Sequence, residues 1–427
     1  MEIKTDTVSR LIQGTALPKM FQVRQKFARE AIPGEAIPET VRECLRREGI
    51  GEAVHPGMRI AITAGSRGIA NIVAVLNAIA SFVRERGGIP FVVPAMGSHG
   101  GATAEGQRQL LADLGITAES VGCEIVSSMD VARVGATDTG VDVFIDSNAA
   151  LADGIIVAGR VKPHTDFRGP YESGIMKMLA IGLGKQQGAE YCHNEGMERM
   201  AENVPLFGNA IIRNTNIICA VALIENAYDE TSRIHVLRSG EIAEREPELL
   251  KTAFDLMPRI VFPECDLLVV DRIGKNFSGC GMDPNITGTF YAPWLSGGLK
   301  HRRVCVLDIS DESHGNFSGL GVCDATTRRV FDKVDTNATY TNAVTCKVLA
   351  DAKIPCVMNT DKECIQICLK TLPGSVTAGA RVIRIANSLH IETIWLSEAF
   401  YEEAKRHPAL ELLSGPADMR FCDGRLL

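Results

Sequence analysis

Apolar runs with the composition of strands alternate with helical stretches through most of this 427-residue chain. In the first half, residues 58–65 and 89–96 are predicted strands, and 70–86 and 103–115 have the period of helices. Further strand candidates lie at 141–146 and 153–159, and the pattern becomes less regular after 217–226. This βαβα order is typical of a mostly parallel sheet that is covered by helices on both faces.

A second α/β set follows a charged amphipathic helix at 241–257, so we place a domain boundary near 258–262. Its strand candidates are 266–274, 302–310 and 380–388, and its helix candidates are 342–353, 361–372 and 396–407. We therefore predict two α/β domains, residues 1–260 and 261–400, with a functional site in the cleft between them. We expect the tail, about 400–427, to pack back on the first domain.

Composition narrows the classes of partner. The formal net charge is −7, which argues against nucleic acid, and no run of Lys and Arg suggests a membrane surface. The first twenty residues lack the apolar stretch of a signal peptide, and no window of about 18 apolar residues could span a bilayer. We expect a cytoplasmic protein. Its thirteen cysteines include no CxxC pair, so we expect them to be reduced and mostly buried.

Four glycine-rich loops that carry cationic or imidazole groups follow predicted strands: 64–68, 95–103, 160–169 and 272–288. In open α/β sheets, ligands bind beyond the carboxyl ends of the strands. The four loops therefore point to one ligand site. Within the second of them, the backbone around Ser98 and Gly100 could approach a phosphate closely, or could simply form a tight turn between strand and helix.

Three histidines occupy glycine- or proline-rich loops: His99 in GSHGG, His164 in KPHTD and His193 in YCHNEG. A single loop histidine is more often structural, but three in the loops of one domain favour a site. His314, in ESHGN, has a similar setting in the second domain. The HExxH and GxSxG signatures of zinc and serine hydrolases are absent.

Lys177 lies in a segment of small and apolar residues, between ESGIM and LAIGLG. If it is buried, its pKa falls and it becomes a nucleophile or an attachment point. The same pattern fits a lysine that extends to solvent from an amphipathic helix. Composition alone leaves both interpretations open.

The ordered set GSHG, KPH, SGxxK and a downstream HN resembles the nickel-dependent lactate racemase superfamily, most clearly over about 60–200. Its members use a nickel-pincer nucleotide, a modified pyridine mononucleotide that separate synthesis enzymes make and that is tethered to a lysine. The resemblance implies a racemase or 2-epimerase of a 2-hydroxy acid, acting by hydride transfer to and from this cofactor. Segments 273–285, 312–321 and 338–342 resemble a subgroup and not the founding lactate racemases.

The resemblance implies roles for individual residues. His99 and His164 match the two histidines that act as acid and base, and Lys177 matches the lysine that bonds the cofactor. His193 matches the histidine that supplies a nickel ligand, and Arg67 matches the arginine that binds the substrate carboxylate. Further expected contacts are Lys275 and Arg168 for the substrate, and Arg67, Ser98 and Gly100 for the cofactor.

The chain departs from the founders at two places. Their Asp-x-Thr-Arg turn is AGSRGIAN here, and their SGGRK is SGIMK, so Met176 replaces an arginine. The many polar groups of the loops favour a sugar acid or a dicarboxylate as substrate. Two alternatives remain: a metal-dependent hydrolase or lyase with His99, His164 and His193 as ligands, and a non-catalytic ligand-binding homologue. The oligomeric state cannot be predicted from these features.

Overall fold

The computed structural model of the protein describes residues 5–292, 294–345, 347–374 and 376–427. Contacts divide the chain into an N-terminal unit, Ala28–Met257, and a C-terminal unit, which combines the chain up to Phe27 with Pro258–Leu427. Both units consist of helices and mostly parallel sheets, which confirms the predicted α/β class.

The strands are β1 Met20–Gln25, β2 Arg59–Ala64, β3 Ile89–Pro94, β4 Glu124–Ile125, β5 Val131–Ala136, β6 Asp142–Asp146, β7 Gly154–Arg160, β8 Ile217–Glu225, β9 Thr231–Arg238, β10 Leu267–Ile273, β11 Arg303–Ile309, β12 Ala325–Thr327, β13 Cys356–Met358, β14 Val382–Ile385, β15 Thr393–Ser397, β16 Leu410–Leu412, β17 Phe421–Cys422 and β18 Arg425–Leu426. The α-helices are α1 Asp6–Ile12, α2 Ile37–Arg47, α3 Ile72–Glu85, α4 Ala104–Asp113, α5 Ala118–Val121, α6 Ser147–Ala150, α7 Ile175–Lys177, α8 Lys185–His193, α9 Met200–Asn214, α10 Ile242–Leu256, α11 Pro284–Thr287, α12 Arg328–Lys333, α13 Thr336–Thr345, α14 Asp361–Lys370 and α15 Tyr401–Arg406.

The main sheet of the N-terminal unit has the strand order β4-β3-β2-β7-β8-β9. All neighbours pair in parallel except β9, which closes one edge antiparallel to β8. Side chains alternate across the sheet, so Ile60 and Ile62 of β2 pack in one buried cluster while Ala61 packs in another. Both faces are therefore covered, as expected for a parallel sheet.

The strand order decides where the site loops meet. β3, β2 and β7 are neighbours in the sheet and run in the same direction. Their carboxyl ends, Pro94, Ala64 and Arg160, therefore lie at one edge. The loop after β3 carries His99, the loop after β2 carries Arg67, and the loop after β7 carries His164.

The C-terminal unit has a mixed sheet of order β13-β12-β11-β10-β14-β15-β1-β16. β13 to β14 pair in parallel, whereas β15, β1 and β16 are antiparallel to their neighbours. The structure differs here from our expectation for both chain ends. Residues 1–27 and 400–427 were expected with the N-terminal domain, but β1 and β16 pair with each other in this sheet.

Most predicted helices are close to the observed ones; 70–86, for example, corresponds to α3. The predicted helix 342–353 is shifted, because α13 begins at Thr336, where the Asp335 carboxylate accepts the backbone N–H of Ala338 at 3.1 Å. Among the described residues, no helix is both long and apolar enough to cross a membrane.

Candidate active site

Three strand-end loops and one helix bring four of the predicted site residues together. The charges of Arg67 and Lys177 both act on His99, and Arg67 also acts on Lys177. His164 contacts Lys177 directly. The residues to which the resemblance assigns substrate binding, acid–base chemistry and cofactor attachment therefore lie in one neighbourhood of the N-terminal unit.

The contact between His164 and Lys177 constrains the protons on both groups. The backbone N–H of Asp166 donates to Nδ1 of His164 at 3.0 Å, so this nitrogen carries the lone pair of a neutral ring. The proton of a neutral imidazole then lies on Nε2, the atom that contacts Nζ of Lys177. A protonated amine has no lone pair to accept it, so the geometry matches a neutral Lys177.

Both pKa values are shifted in the direction that this arrangement requires. Burial lowers the pKa of Lys177 to about 8, and Asp166 opposes that shift while Arg67 and Lys162 add to it. Burial, followed by the charge of Lys177, lowers the pKa of His164 well below its usual value. A lysine in this state is a nucleophile near neutral pH.

His99 has a different partner. Its Nδ1 lies 2.5 Å from the hydroxyl of Ser66, in the turn that follows β2. Surrounding protein atoms, together with the charges of Arg67 and Lys177, lower the pKa of His99 to about 4. The pKa is lowered although the residue is exposed to solvent. His99 is therefore neutral at physiological pH and able to accept a proton.

The loop that carries His164 is held by its own charged residues. The backbones of Lys162 and Ser173 exchange two hydrogen bonds, at 2.8 and 3.1 Å, which close the loop at its base. The buried Glu172 carboxylate accepts the backbone N–H of His164 at 2.7 Å and pairs with Arg168 at 3.3 Å. Arg168 also donates to the carbonyl oxygen of His164 at 2.6 Å. Several charges of this loop thus serve to fix the position of His164.

Glu246 supports Lys177 from a distant part of the chain, and the sequence analysis missed it. It is buried on α10, and its Oε2 accepts the backbone N–H of Met176 at 2.9 Å, at the start of α7. A Cβ atom on Gly174 would lie 1.9 Å from its Oε1, so only glycine leaves room for this carboxylate. One signal was present in the sequence. Glu246 lies on the apolar stripe of α10, between residues that are buried.

His193 ends α8, which follows a π-helical stretch, Met178–Leu183, that continues α7. Its Nδ1 lies 2.6 Å from the carbonyl oxygen of Ala189 and donates to it, so Nε2 carries the lone pair. This is the usual arrangement of an imidazole that ligates a metal. The preceding residue, Cys192, interacts electrostatically with Lys177, so the end of α8 lies near the lysine.

The other predicted contacts have different surroundings. Ser98 is exposed and Gly100 is half-buried, in the same loop as His99. Lys275 lies in the C-terminal unit, where its Nζ donates to the carbonyl oxygen of Gly279 at 2.6 Å. Arg168 makes the loop contacts given above. The roles of these four residues in binding, and the position of the site between the two domains, stay predictions.

The alternative in which three loop histidines share one metal finds no support in the geometry. Across the described ranges, no group of three His, Cys, Asp or Glu side chains lies close enough to hold a metal ion. Both ring nitrogens of His164 are engaged, by the Asp166 N–H and by Lys177. If a bound cofactor supplied the other metal ligands, the protein would need to provide only one histidine.

One family model matches part of the chain. Residues 11–204 match the family model described as the lactate racemase N-terminal domain. The match covers somewhat less than half of the chain, and over these residues it confirms the resemblance drawn from the sequence. A search of curated proteins by sequence gives no match.

Two solved structures are similar to the chain, each with 12% sequence identity. One is a Thermotoga maritima protein, with a TM-score of 0.47 over 65% of this chain and 71% of that one. The other is the lactate racemase apoprotein of Thermoanaerobacterium thermosaccharolyticum, with a TM-score of 0.45 over 86% of this chain and 84% of that one.

Proposed function

We propose that this protein is a racemase or 2-epimerase of a 2-hydroxy acid and that Lys177 covalently holds a nickel-pincer nucleotide. The observation that carries the proposal is the contact between Lys177, whose pKa is lowered, and His164, beside His99 and Arg67. The match of residues 11–204 to the lactate racemase N-terminal domain model supports it.

The residues present fit the cofactor. Lys177 has the lowered pKa of an amine that can form a covalent bond, and the Nδ1 contact of His193 with the Ala189 carbonyl oxygen is of the kind that a metal-ligating imidazole makes through its other nitrogen. Imidazole is a suitable nickel ligand. When bound, the cofactor supplies an acceptor and donor for the hydride at C2 of the substrate.

The protein's own residues bind the acid and move its proton. Arg67 carries a guanidinium that can hold a carboxylate through two parallel hydrogen bonds. The pKa values of His99 and His164 are both lowered, so each ring is neutral. His99 can accept the hydroxyl proton directly, whereas His164 can accept it only after its ring exchanges its contact with the Asp166 N–H or with Lys177 for one with the substrate. Two bases are needed because the hydroxyl group of one enantiomer faces opposite to that of the other. Each histidine thus acts as base for one enantiomer and as acid for its mirror image.

The groups around Lys177 favour a polar substrate. Lys162 and Asp166 both act electrostatically on Lys177, in addition to Arg67. A second carboxylate or several hydroxyl groups could bind to such side chains, whereas the methyl group of lactate could not. We therefore propose a sugar acid or a dicarboxylate as the substrate class.

Single enantiomers of 2-hydroxy acids that carry deuterium at C2 test the proposed reaction. The protein is produced together with the enzymes that make the cofactor, and the acids include lactate, dicarboxylates and sugar acids. We expect inversion at C2 with the deuterium retained, because the hydride leaves and returns without entering water. Inversion with loss of deuterium to solvent would contradict hydride transfer, and absence of inversion with every acid would contradict the function.

A further inference from the structure

Lys185 combines two unfavourable features. Its side chain is fully buried, and its backbone has a φ of 54°, in the left-handed region. That region is unfavourable for residues other than glycine, because Cβ lies too close to the following carbonyl oxygen. Burial also lowers the pKa of the ammonium, although Asp146 opposes the shift. Such a residue persists only where its contacts offset the cost.

Three oxygen atoms surround the ammonium of Lys185. Nζ donates to the carbonyl oxygen of Pro94 at 2.6 Å and to Oε1 of Gln107 at 3.1 Å. Oδ2 of Asp146, also fully buried, lies 3.0 Å from Nζ as an ion-pair partner, without the alignment of a hydrogen bond. An ammonium has three N–H groups, and here three oxygen atoms lie close enough to compensate its positive charge.

Gln107 extends this arrangement to the loop of His99. Because Oε1 accepts from Lys185, the amide has one orientation, and Nε2 points the other way. Nε2 donates to the carbonyl oxygens of Gly97 at 2.8 Å and of His99 at 3.2 Å. A flipped amide would set its NH2 against the ammonium and its oxygen against two carbonyls. Every polar group of this buried side chain is thus used.

The same loop is fastened to the segment that follows Lys177. The backbone N–H of Gly97 donates to the carbonyl oxygen of Gly182 at 3.1 Å, three residues before Lys185. We infer that Lys185 and Gln107 are positioning residues for His99: the buried ammonium orients the amide, and the amide fixes the His99 backbone beside Ser66. The catalytic meaning of this placement rests on the proposed function, whereas the placement itself does not.

The matched pair Gln107→Met and Gln25→Met separates positioning from general stability. Gln25 is a fully buried glutamine of the C-terminal unit that also uses both ends of its amide. Its Nε2 donates to the carbonyl oxygen of Ile391 at 2.6 Å, and its Oε1 accepts the N–H of Val261 at 2.8 Å. Both variants therefore lose comparable hydrogen bonds, but only one of them loosens the loop of His99.

The readout is the pKa of His99 in the cofactor-free protein, followed by NMR of labelled imidazoles and assigned with His99→Gln. We expect Gln107→Met to move this pKa toward 6.5 by at least about one unit, since the ring leaves its surroundings. Gln25→Met should not change it. Equal losses of stability in both variants with an unchanged His99 titration would overturn the inference.

Two further measurements complete the test. If Gln107→Met does not fold, Gln107→Glu is used in its place. The glutamate keeps an oxygen that accepts from Lys185 and loses only the two N–H donors of the amide. In the wild type, the side-chain amide protons of Gln107 should exchange slowly with water, and fast exchange would overturn the inference. In the cofactor-loaded enzyme, we expect Gln107→Met to lower kcat about tenfold and to leave KM unchanged. A wild type without activity would contradict only the proposed function, because the NMR titration still decides the positioning.

Discussion

Nε2 of His164 and Nζ of Lys177 are in direct hydrogen-bond contact, thirteen residues apart in the chain. Because the Asp166 N–H occupies Nδ1 of the ring, the imidazole is the donor in this contact and the amine is the acceptor. The contact thus favours the free amine of the proposed attachment point, and the lowered pKa of about 8 brings that form within reach near neutral pH. The predictions below test this arrangement and the elements that support it.

The reactivity of Lys177 should follow a pKa near 8, because burial disfavours its charged form. An amine reagent small enough to reach the site, applied across pH 6 to 11 and read by peptide mass spectrometry, measures this value. Lys405 on α15, whose side chain is half-exposed, serves as the control. If labelling of the two lysines depended on pH in the same way, the pKa of Lys177 would not be lowered.

The cap that Glu246 provides should make stability depend on pH. Burial raises the pKa of Glu246 from 4.5 to about 7, against the effect of the Met176 and Ile175 N–H groups. Its contribution to stability is therefore complete below pH 4.5 and is lost as the pH rises through 7, by roughly 3 kcal/mol. Glu246→Gln does not titrate, so its stability relative to wild type should rise between pH 5 and 8, measured by urea unfolding.

Glu230→Gln is the control of opposite sign. Hydrogen bonds from Arg29 and Asn226 lower the pKa of Glu230, so this carboxylate gains in stabilising effect as the pH rises. The Glu230 variant should therefore lose stability relative to wild type as the pH rises from acid to about 4.5, and its relative stability should stay level between pH 5 and 8. If both variants changed in the same direction, the pH dependence would not come from these carboxylates.

Gly174→Ala should destabilise the protein by about 1–3 kcal/mol, because the new methyl group occupies the place of Glu246 Oε1. The double variant Gly174→Ala/Glu246→Ala removes both sides of the clash. We expect it to be more stable than the sum of the two single effects predicts. Additive effects in urea unfolding would mean that the two residues do not compete for the same space.

His193→Ala should separate the attachment of the cofactor from the binding of its metal. Lys177 remains, so the mass adduct should persist, while nickel should fall at least about tenfold because the imidazole ligand is gone. Intact mass and elemental analysis of the same sample measure both. Full nickel content in His193→Ala would remove this residue from the site.

The sequence allowed the class of fold to be predicted because period-two and period-3.6 patterns are local. The positions of the two chain ends could not be predicted in this way, because β1 pairs with β15 and β16, which lie more than 350 residues away in the sequence. Short strands of this kind carry little pattern of their own, and their place depends on partners that the sequence does not name.

Within the site, the predicted residues Arg67, His99, His164 and Lys177 lie on the expected loops and on α7. The supporting residues were not predicted, because each acts through backbone groups of a distant segment. Only Glu246 could have been recognised from the sequence, because it is a charged residue on an apolar helix face. For charges such as those of Arg168 and Glu172, no pattern distinguishes a ligand contact from a bond that stiffens the loop.

Intact mass and nickel content, measured together on protein made beside the cofactor-synthesis enzymes, test the central claim most directly. We expect wild-type protein to carry one adduct that peptide mapping places on Lys177, with about one nickel per chain. Lys177→Ala should lose both, whereas Lys162→Ala, which changes a neighbouring lysine of the same loop, should keep the adduct. An unmodified wild-type mass without nickel, or an adduct that survives Lys177→Ala, would contradict the account.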